Sequence, residues 1–542
     1  MRGWMRAERH HSQPPFREGL SPLRPPPAVR PRLGRVENSS TAQISGSTAA
    51  EIAGSVRGLV DRGELVPGDL LPPVRALAEQ LGVNRNTAVA AYRRLARDGA
   101  VVAQGRAGTR IAGPQAVAQE GYAAPDALTG NTEPAGRAGA AGPGGSGGLG
   151  DPGGSGESAT PARAGRGDGD VPAGTLRDLG TGNPDPALIP DLAPALAGAV
   201  GRPVLYGEPV IDPGFEAWAR EWVAPDVPTG ADAHLTLTSG AVDAIERLLA
   251  QSLVRDDAVA LEDPCFLASI QTVRHAGYRT LPVPVDAEGM TPGGLRAALE
   301  AGARAVVLTP RAQNPTGASL SARRAEELRA VLAEHPYVLV VLDDYYSFLS
   351  RRPFRSPLPA GHRRWALVRS VSKFLGPDLC LAVAATDPET AGRLALRLSP
   401  GTTWVSHLLQ RLAHGVLADE GSRALVERAG EHYAARNAQV AALLTARGLP
   451  VRAADGMSLW VPVPRPAREV AAELARRGWR VRTGDEFRLA PGEHGVEASR
   501  HLRLTVHDLT DAEAQRFATD LADAAGVAPT VADGVREGAG RA

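Results

Sequence analysis

The stretch GELVPGDLLPPVRALAEQLGVNRNTAVAAYRRLARDGAVVAQGRAGTRI, residues 63–111, decides how the N-terminal part of this chain folds. Pro72-Pro73 can open a helix, since proline is tolerated in a first turn, where its missing N–H has no partner to lose. Leu77 and Leu81, four apart, lie on the inner face of that helix. Gly82 supplies the turn that follows, because helices commonly end on a residue in the left-handed region. Asn84 can cap a further helix, with Thr87 in its first turn. The spacing predicts that this helix buries Val89, Tyr92 and Leu95, turns Arg85, Asn86 and Arg93 outward and ends at Gly99. Two short strands, within AVVAQ and GTRI, are joined through Gly105-Arg106-Ala107-Gly108. Upstream, Ile52, Val56, Leu59 and Val60 recur at helical spacing and make an amphipathic first helix. The expected unit is a helix-turn-helix with a β wing.

Charge suggests what such a unit meets. The 542-residue chain has a formal net charge of zero, yet residues 1–111 carry 17 Arg against 9 Asp and Glu, a surplus of +8 that the remainder must cancel. A basic part on a neutral chain suits a polyanion, although a solvated arginine-rich tail has the same composition. In a helix-turn-helix the start of the third helix enters the major groove. Arg85, Asn86 and Thr87 can then reach base edges and phosphates. Arg75, at the start of the second helix, is placed for the phosphate backbone or an adjacent base. A glycine-flanked wing tip with Arg106 and Gly108 suits the minor groove. The run PGDLLPPVRALAEQLGVNRNTAVAAYRRLARDG resembles, in residues and in order, the winged-helix domain of the GntR family of regulators.

The length allows two or three domains, and a hydrophobic fraction of 43% supports a sizeable core. No apolar run approaches the length of a membrane span, and the N-terminus has no apolar segment of the secretory kind. Two distant cysteines, Cys265 and Cys380, argue against a disulfide framework and fit a reducing cytoplasm. No metal site is expected. Residues 1–40, rich in Pro, Arg and Ser, read as a disordered extension, and 41–112 as the winged helix. Residues 113–174, including GPGGSGGLGDPGGSGES, read as a flexible linker. Across 175–528, apolar runs such as AVVLTP (305–310) and VLVVLDD (338–344) alternate with helical patterns, an α/β signature. Residues 529–542 read as a disordered tail.

Of the 60 Lys and Arg residues, Lys373 alone is lysine. Arginine can replace lysine wherever a positive charge suffices, but not where a neutral primary amine must attack a carbonyl. Lys373 closes a series of short motifs: GTGNPDP (180–186), Tyr206-Gly207, TSGAVDAI (238–245), EDPCF (262–266), NPTG (314–317), LDDYY (342–346) and RSVSK (369–373). In this order they resemble fold-type I pyridoxal-phosphate (PLP) enzymes of the class I/II aminotransferase group, from about Asp178 to Gly526.

The resemblance implies a role for each position. Lys373 would form the Schiff base with PLP, and Asp343, or Asp344 in the alternative register, would pair with the pyridine nitrogen. Tyr345 and Asn314 would hydrogen-bond the ring oxygen, and Phe266 would stack on the ring. Gly240, Ala241, Ser370 and Ser372 would hold the phosphate, the first two at a helix N-terminus. Tyr206 would reach a phosphate across a dimer, and Arg503, in HLRLTV, would clamp a carboxylate. One position departs from the group, which has a phosphate-binding arginine seven or eight residues past the lysine. Here Cys380 matches that place, with Leu381 beside it, which weakens the expected grip on PLP; Arg369 is a candidate substitute.

A GntR-like winged helix, a long linker and an aminotransferase-like domain together resemble the MocR subgroup of GntR regulators. That resemblance implies a head-to-tail homodimer on a double-stranded operator, with PLP, or an amine or amino acid joined to it, as effector. The expected function is a DNA-binding transcriptional regulator that senses without turnover. The alternatives are a working aminotransferase that carries a DNA-binding domain and a cofactor-free dimeric scaffold.

Overall fold

The computed structural model describes residues 43–97, 100–103, 108–111, 176–228, 232–398, 403–489 and 497–527. The expectations for the extension 1–40, the linker 113–174, the tail 529–542, the stop at Gly99 and the wing-tip Arg106 lie outside the described residues.

Helix α1 (Ala49–Asp61) opens on a capping box: Thr48 Oγ1 accepts from Glu51 N, and the Glu51 carboxylate accepts from Thr48 N. Its Ile52, Val56 and Leu59 are buried, and Val60 is half-buried at the edge of the stripe. Helix α2 (Val74–Leu81) begins one residue later than the proline pair suggests. Pro73 is its N-cap and still extended, at ψ 143°. Gly82 follows in the left-handed region at φ 64°. Helix α3 (Arg85–Arg97) is capped by Asn84, whose Oδ1 accepts from Asn86 N at 2.8 Å. Its inner face is Ala88, Ala91, Tyr92 and Leu95, whereas Val89 is only half-buried. The small alanines, rather than Val89, let α3 approach α1. Tyr92 also donates its hydroxyl to Pro72 O at 2.6 Å, which ties α3 to the entry of α2. Strands β1 (Val101–Ala103) and β2 (Thr109–Ile111) pair antiparallel to form the base of the wing.

The C-terminal part is built on an eight-stranded sheet. A short strand, β3 (Arg177–Asp178), leads into it, and helices α4 (Ala193–Ala199) and α5 (Pro213–Val223) precede the sheet proper. The sheet comprises β4 (His234–Thr238), β5 (Ala258–Asp263), β6 (Arg279–Asp286), β7 (Gly289–Met290), β8 (Ala303–Leu308), β9 (Leu339–Asp343), β10 (Trp365–Ser370) and β11 (Ala382–Thr386), in the order β4-β11-β10-β9-β8-β5-β6-β7. Strands β6, β5, β8, β9 and β10 run parallel, and β11 is antiparallel to both its neighbours. The central strands β8 and β9 are almost wholly buried apolar residues, as expected of a sheet covered on both faces. A second, three-stranded sheet is made of β12 (Ser458–Pro462), β15 (His501–Thr505) and β14 (Arg482–Thr483). Beside it, β13 (Trp479–Arg480) pairs parallel with β3, so the start of the domain is stitched to its end. In parallel sheets ligands bind beyond the carboxyl ends of the strands. Asp343 and Ser370 are the last residues of β9 and β10.

Candidate functional site

One cleft collects residues from five separate motifs. Lys373, Tyr345, Asn314 and Arg503 line it together with Gly182, Gln313, Asp455 and Ser458. Lys373 sits in the short helix Ser372–Leu375 after β10, and its Nζ donates to Gly182 O at 2.9 Å. Desolvation pushes the ammonium down to about 8 from its usual 10.5, so a neutral amine is within reach near physiological pH. Tyr345 donates its hydroxyl to Ala312 O at 2.6 Å, and burial raises its phenol above the ordinary value.

The two adjacent carboxylates have different surroundings. Asp344 is fully buried and accepts from Arg311 Nε at 2.7 Å and Nη2 at 2.9 Å, and from Arg369 Nε at 2.8 Å. Arg369 reaches on to Asp226 and to Trp222 O, and both guanidinium groups stand over the Phe354 ring. Asp343 is buried too, but its Oδ1 meets no hydrogen-bond partner among the described residues. Burial, and then the charge of Asp344, push its carboxyl up to about 7. Arg369 is thus held by two carboxylates on the far side of β10, which corrects its candidacy as a substitute phosphate ligand. Its place in RSVSK could not show this, because successive strand residues face opposite sides of a sheet.

Gly240, Ser370, Ser372, Phe266, Cys380 and Tyr206 are not in the lining of that cleft. Gly240 caps helix α6 (Ala241–Ala250) at φ 95°, a conformation that favours glycine. Ser370 Oγ accepts from Ser372 N at 3.1 Å and meets Ser372 Oγ at 3.1 Å. Phe266, half-buried, is the N-cap residue of helix α7 (Leu267–His275) at the end of β5. Cys380 is exposed in the left-handed region at φ 38°, its thiol against Pro377 O. Tyr206 is 93% exposed and meets Trp404 edge to face. Arg503 is fully buried on β15. It donates to Gly180 O at 2.6 Å and to Ser458 Oγ at 3.4 Å, lies over Phe487, and is pushed down to about 9 by burial.

Sequence reasoning quoted GTGNPDP without giving its glycines a task, yet Gly180 and Gly182 supply the carbonyls that hold Arg503 and Lys373. It missed Asp455, which nothing in the local sequence singles out. In the winged helix, Arg75, Arg85 and Asn86 are all exposed, and Thr87 is half-buried in the first turn of α3. Gly108 has φ 89°, and an added Cβ would stand 2.8 Å from Leu70 Cδ1. It therefore keeps the wing base close to Leu70. Among the described residues no helix is long and apolar enough to cross a membrane, and no cluster of His, Cys, Asp or Glu could hold a metal.

Fold and cleft define a winged helix joined to an aminotransferase-like domain of fold type I. The gntR family of bacterial regulatory proteins matches residues 48–111, and the aminotransferase class I and II family matches 175–521. The chain belongs to the MocR-type transcriptional regulators, which combine these two domains. It is 42% identical over 479 residues, 88% of this chain and 98% of the relative, to the vitamin B6 salvage pathway transcriptional repressor PtsJ of Salmonella typhimurium. It is 28% identical to the 2-aminoadipate transaminase of Thermus thermophilus over 56% of this chain and 81% of that one. The solved kynurenine aminotransferase of Pyrococcus horikoshii superposes with a TM-score of 0.58 at 18% identity, covering 65% of this chain and 91% of the other. The alpha-aminoadipate aminotransferase LysN of Thermus thermophilus gives 0.56 at 24%, covering 65% and 92%. These two likenesses concern the fold.

Proposed function

We propose that this regulator is a repressor of vitamin B6 salvage genes that holds PLP on Lys373 and senses PLP, or an amino compound joined to it, without turnover. The single observation that carries the PLP reading is that the carboxyl ends of two neighbouring strands, β9 and β10, present a half-buried, desolvated lysine and a buried carboxylate with no partner at Oδ1 among the described residues. A protonated pyridine nitrogen is the kind of donor that Asp343 lacks; Asp344, saturated by two arginines, has no such vacancy. Tyr345 and Asn314 stand where they can flank a ring substituent, and Arg503 is a planar donor suited to a carboxylate. Gly240, Ala241, Ser370 and Ser372 would receive the phosphate, with Phe266 against the ring and Tyr206 contributed by a second copy. When bound, PLP supplies an aldehyde open to amine attack and a ring that withdraws electrons. The chain's own part is to make the neutral amine of Lys373 easier to reach through desolvation and to aim it through the Gly182 carbonyl.

The repressor reading rests on the similarity to PtsJ along nearly its whole length. Arg75, Arg85, Asn86, Thr87, Arg106 and Gly108 would meet an operator read by a cytoplasmic homodimer.

An absorbance titration of the full chain with PLP tests the cleft. A long-wavelength band should develop stoichiometrically and be absent in Lys373→Ala, which should still bind operator DNA. An unchanged band in that variant would remove Lys373 from its role. The presence of Lys373 and Arg503 in the lining of one cleft favours a second reading, residual transamination. Steady turnover of an amino donor with a keto acid would replace sensing by catalysis. A chain that gives no band at any PLP concentration would be a cofactor-free scaffold.

A further inference from the structure

Beside the Lys373 cleft lies a cavity of about 570 Å³, and the two share Gly317 and Asp455. It opens between the ends of β5 and β6, the turn 316–322, the loop 352–355 and the segments 452–455 and 497–501. Its acids are mostly spoken for. Asp286 is held by Arg324 at 2.8 and 2.9 Å, and Glu288 by Arg323 and Arg324. Asp263 accepts from Leu489 N at 3.2 Å, and Asp455 accepts from Ser350 Oγ and from Arg351 N. Glu497 is the acid left at the rim. Against it stand Arg352, Arg355 and Arg452. All three are exposed on the cavity, and none is in a side-chain ion pair among the described residues. Trp460 and His501, stacked on one another at 4.9 Å with 7° between their planes, give the lining its aromatic part.

We propose that this cavity is a second ligand site, for a small aromatic anion. Its carboxylate or phosphate would be held by Arg352, Arg355 and Arg452, and its ring would lie against Trp460 and His501. Guanidinium groups take both anions in the same bidentate way, and an aromatic face gives the ring a matching surface. Occupancy reaches the Lys373 cleft through Asp455. Its carboxylate holds the amide of Arg351, next to Arg352, and its own N donates to Gly317 O at 3.2 Å, in the turn after Asn314. Arg452 lies three residues before it. An anion that bridges Arg352 and Arg452 therefore pulls on the latch that shapes the cleft. This coupling, unlike the site itself, rests on the PLP reading above.

The test is calorimetric titration of the full, PLP-treated chain with phenyl phosphate, benzoate and inorganic phosphate. Both ring compounds should bind saturably. The triple variant Arg352→Ala, Arg355→Ala, Arg452→Ala should lose about tenfold or more in affinity, the scale of one charged hydrogen bond. Arg393→Ala, which removes an exposed arginine outside the cavity, should bind as the unaltered chain does. Equal affinity in the triple variant, or no binding by the unaltered chain, overturns the site; inorganic phosphate binding as tightly as phenyl phosphate overturns the ring contact. For the coupling, saturating phenyl phosphate should shift the apparent PLP affinity in the unaltered chain and not in the triple variant. Failure of the PLP band itself would leave the calorimetric result standing, so the two readings fail separately.

Discussion

Asp343 and Asp344 are neighbours in sequence and opposites in chemistry, because strand alternation sends them to different faces. Asp344 pairs with two arginines, one of which it shares with Asp226. Breaking such a buried pair costs about 3–5 kcal/mol, chiefly through the charge left behind. Asp343, with its carboxyl raised to about 7, prefers its proton. A raised carboxylate penalises the folded state as pH climbs above the ordinary value of 3.8, and the penalty is complete above about 7. Asp343→Asn in the PLP-free chain should therefore raise the melting temperature more at pH 8 than at pH 5. An equal gain at both would exclude the buried charge as its cause. For Lys373 the sign is reversed: a lowered amine gains neutral form as pH rises through about 8. The rate at which the chain captures PLP should rise with a midpoint near 8 rather than 10.5. Lys373→Arg should abolish capture at every pH, since it keeps the charge and loses the reacting amine.

At the scale of elements, the recognition helix depends on its cap. Asn84→Ala removes the acceptor for Asn86 N and should cost about 1 kcal/mol of stability in a melt. It should leave the salt dependence of operator binding unchanged, because no charge is lost. Arg85→Ala should instead weaken operator binding by about 1–3 kcal/mol at fixed salt, with the melting temperature unmoved. An anisotropy titration beside a thermal melt separates the two, and an Arg85 variant that binds normally removes that residue from the groove. The cleft depends equally on two elements far apart in the chain. Strand β15 brings Arg503, and the segment around Gly180 and Gly182 supplies carbonyls to both Arg503 and Lys373.

At the scale of the molecule, the role proposed for Tyr206 requires a second copy of the chain. Tyr206 is 93% exposed, with Leu205 also exposed beside it. If it serves the neighbouring subunit's cleft, Tyr206→Ala and Lys373→Ala chains should each fail to bind PLP firmly alone. Mixed after dissociation and reassociation, they should recover about a quarter of the unaltered absorbance band. The estimate follows from random pairing of subunits about a twofold interface, with one intact cleft in each mixed dimer. No recovery would confine Tyr206 to its own subunit's surface.

The winged helix was legible in sequence because its signals are local. The Gly82 turn, the Asn84 cap and the helical spacing act within a few residues, and the misplacements were small: Val89 gave way to Ala88 and Ala91, and the prolines precede α2. The order of motifs around the sole lysine likewise pointed to the aminotransferase fold without any coordinates. What only tertiary structure decided is which polar groups face one another. The ties of Asp344 to Arg311 and Arg369, of Arg369 to Asp226, of the Gly180 and Gly182 carbonyls to Arg503 and Lys373, and of Asp455 to the Arg351 amide all join residues far apart in the chain. A buried polar group is satisfied by whatever the fold brings within about 3 Å, and no local spacing records that.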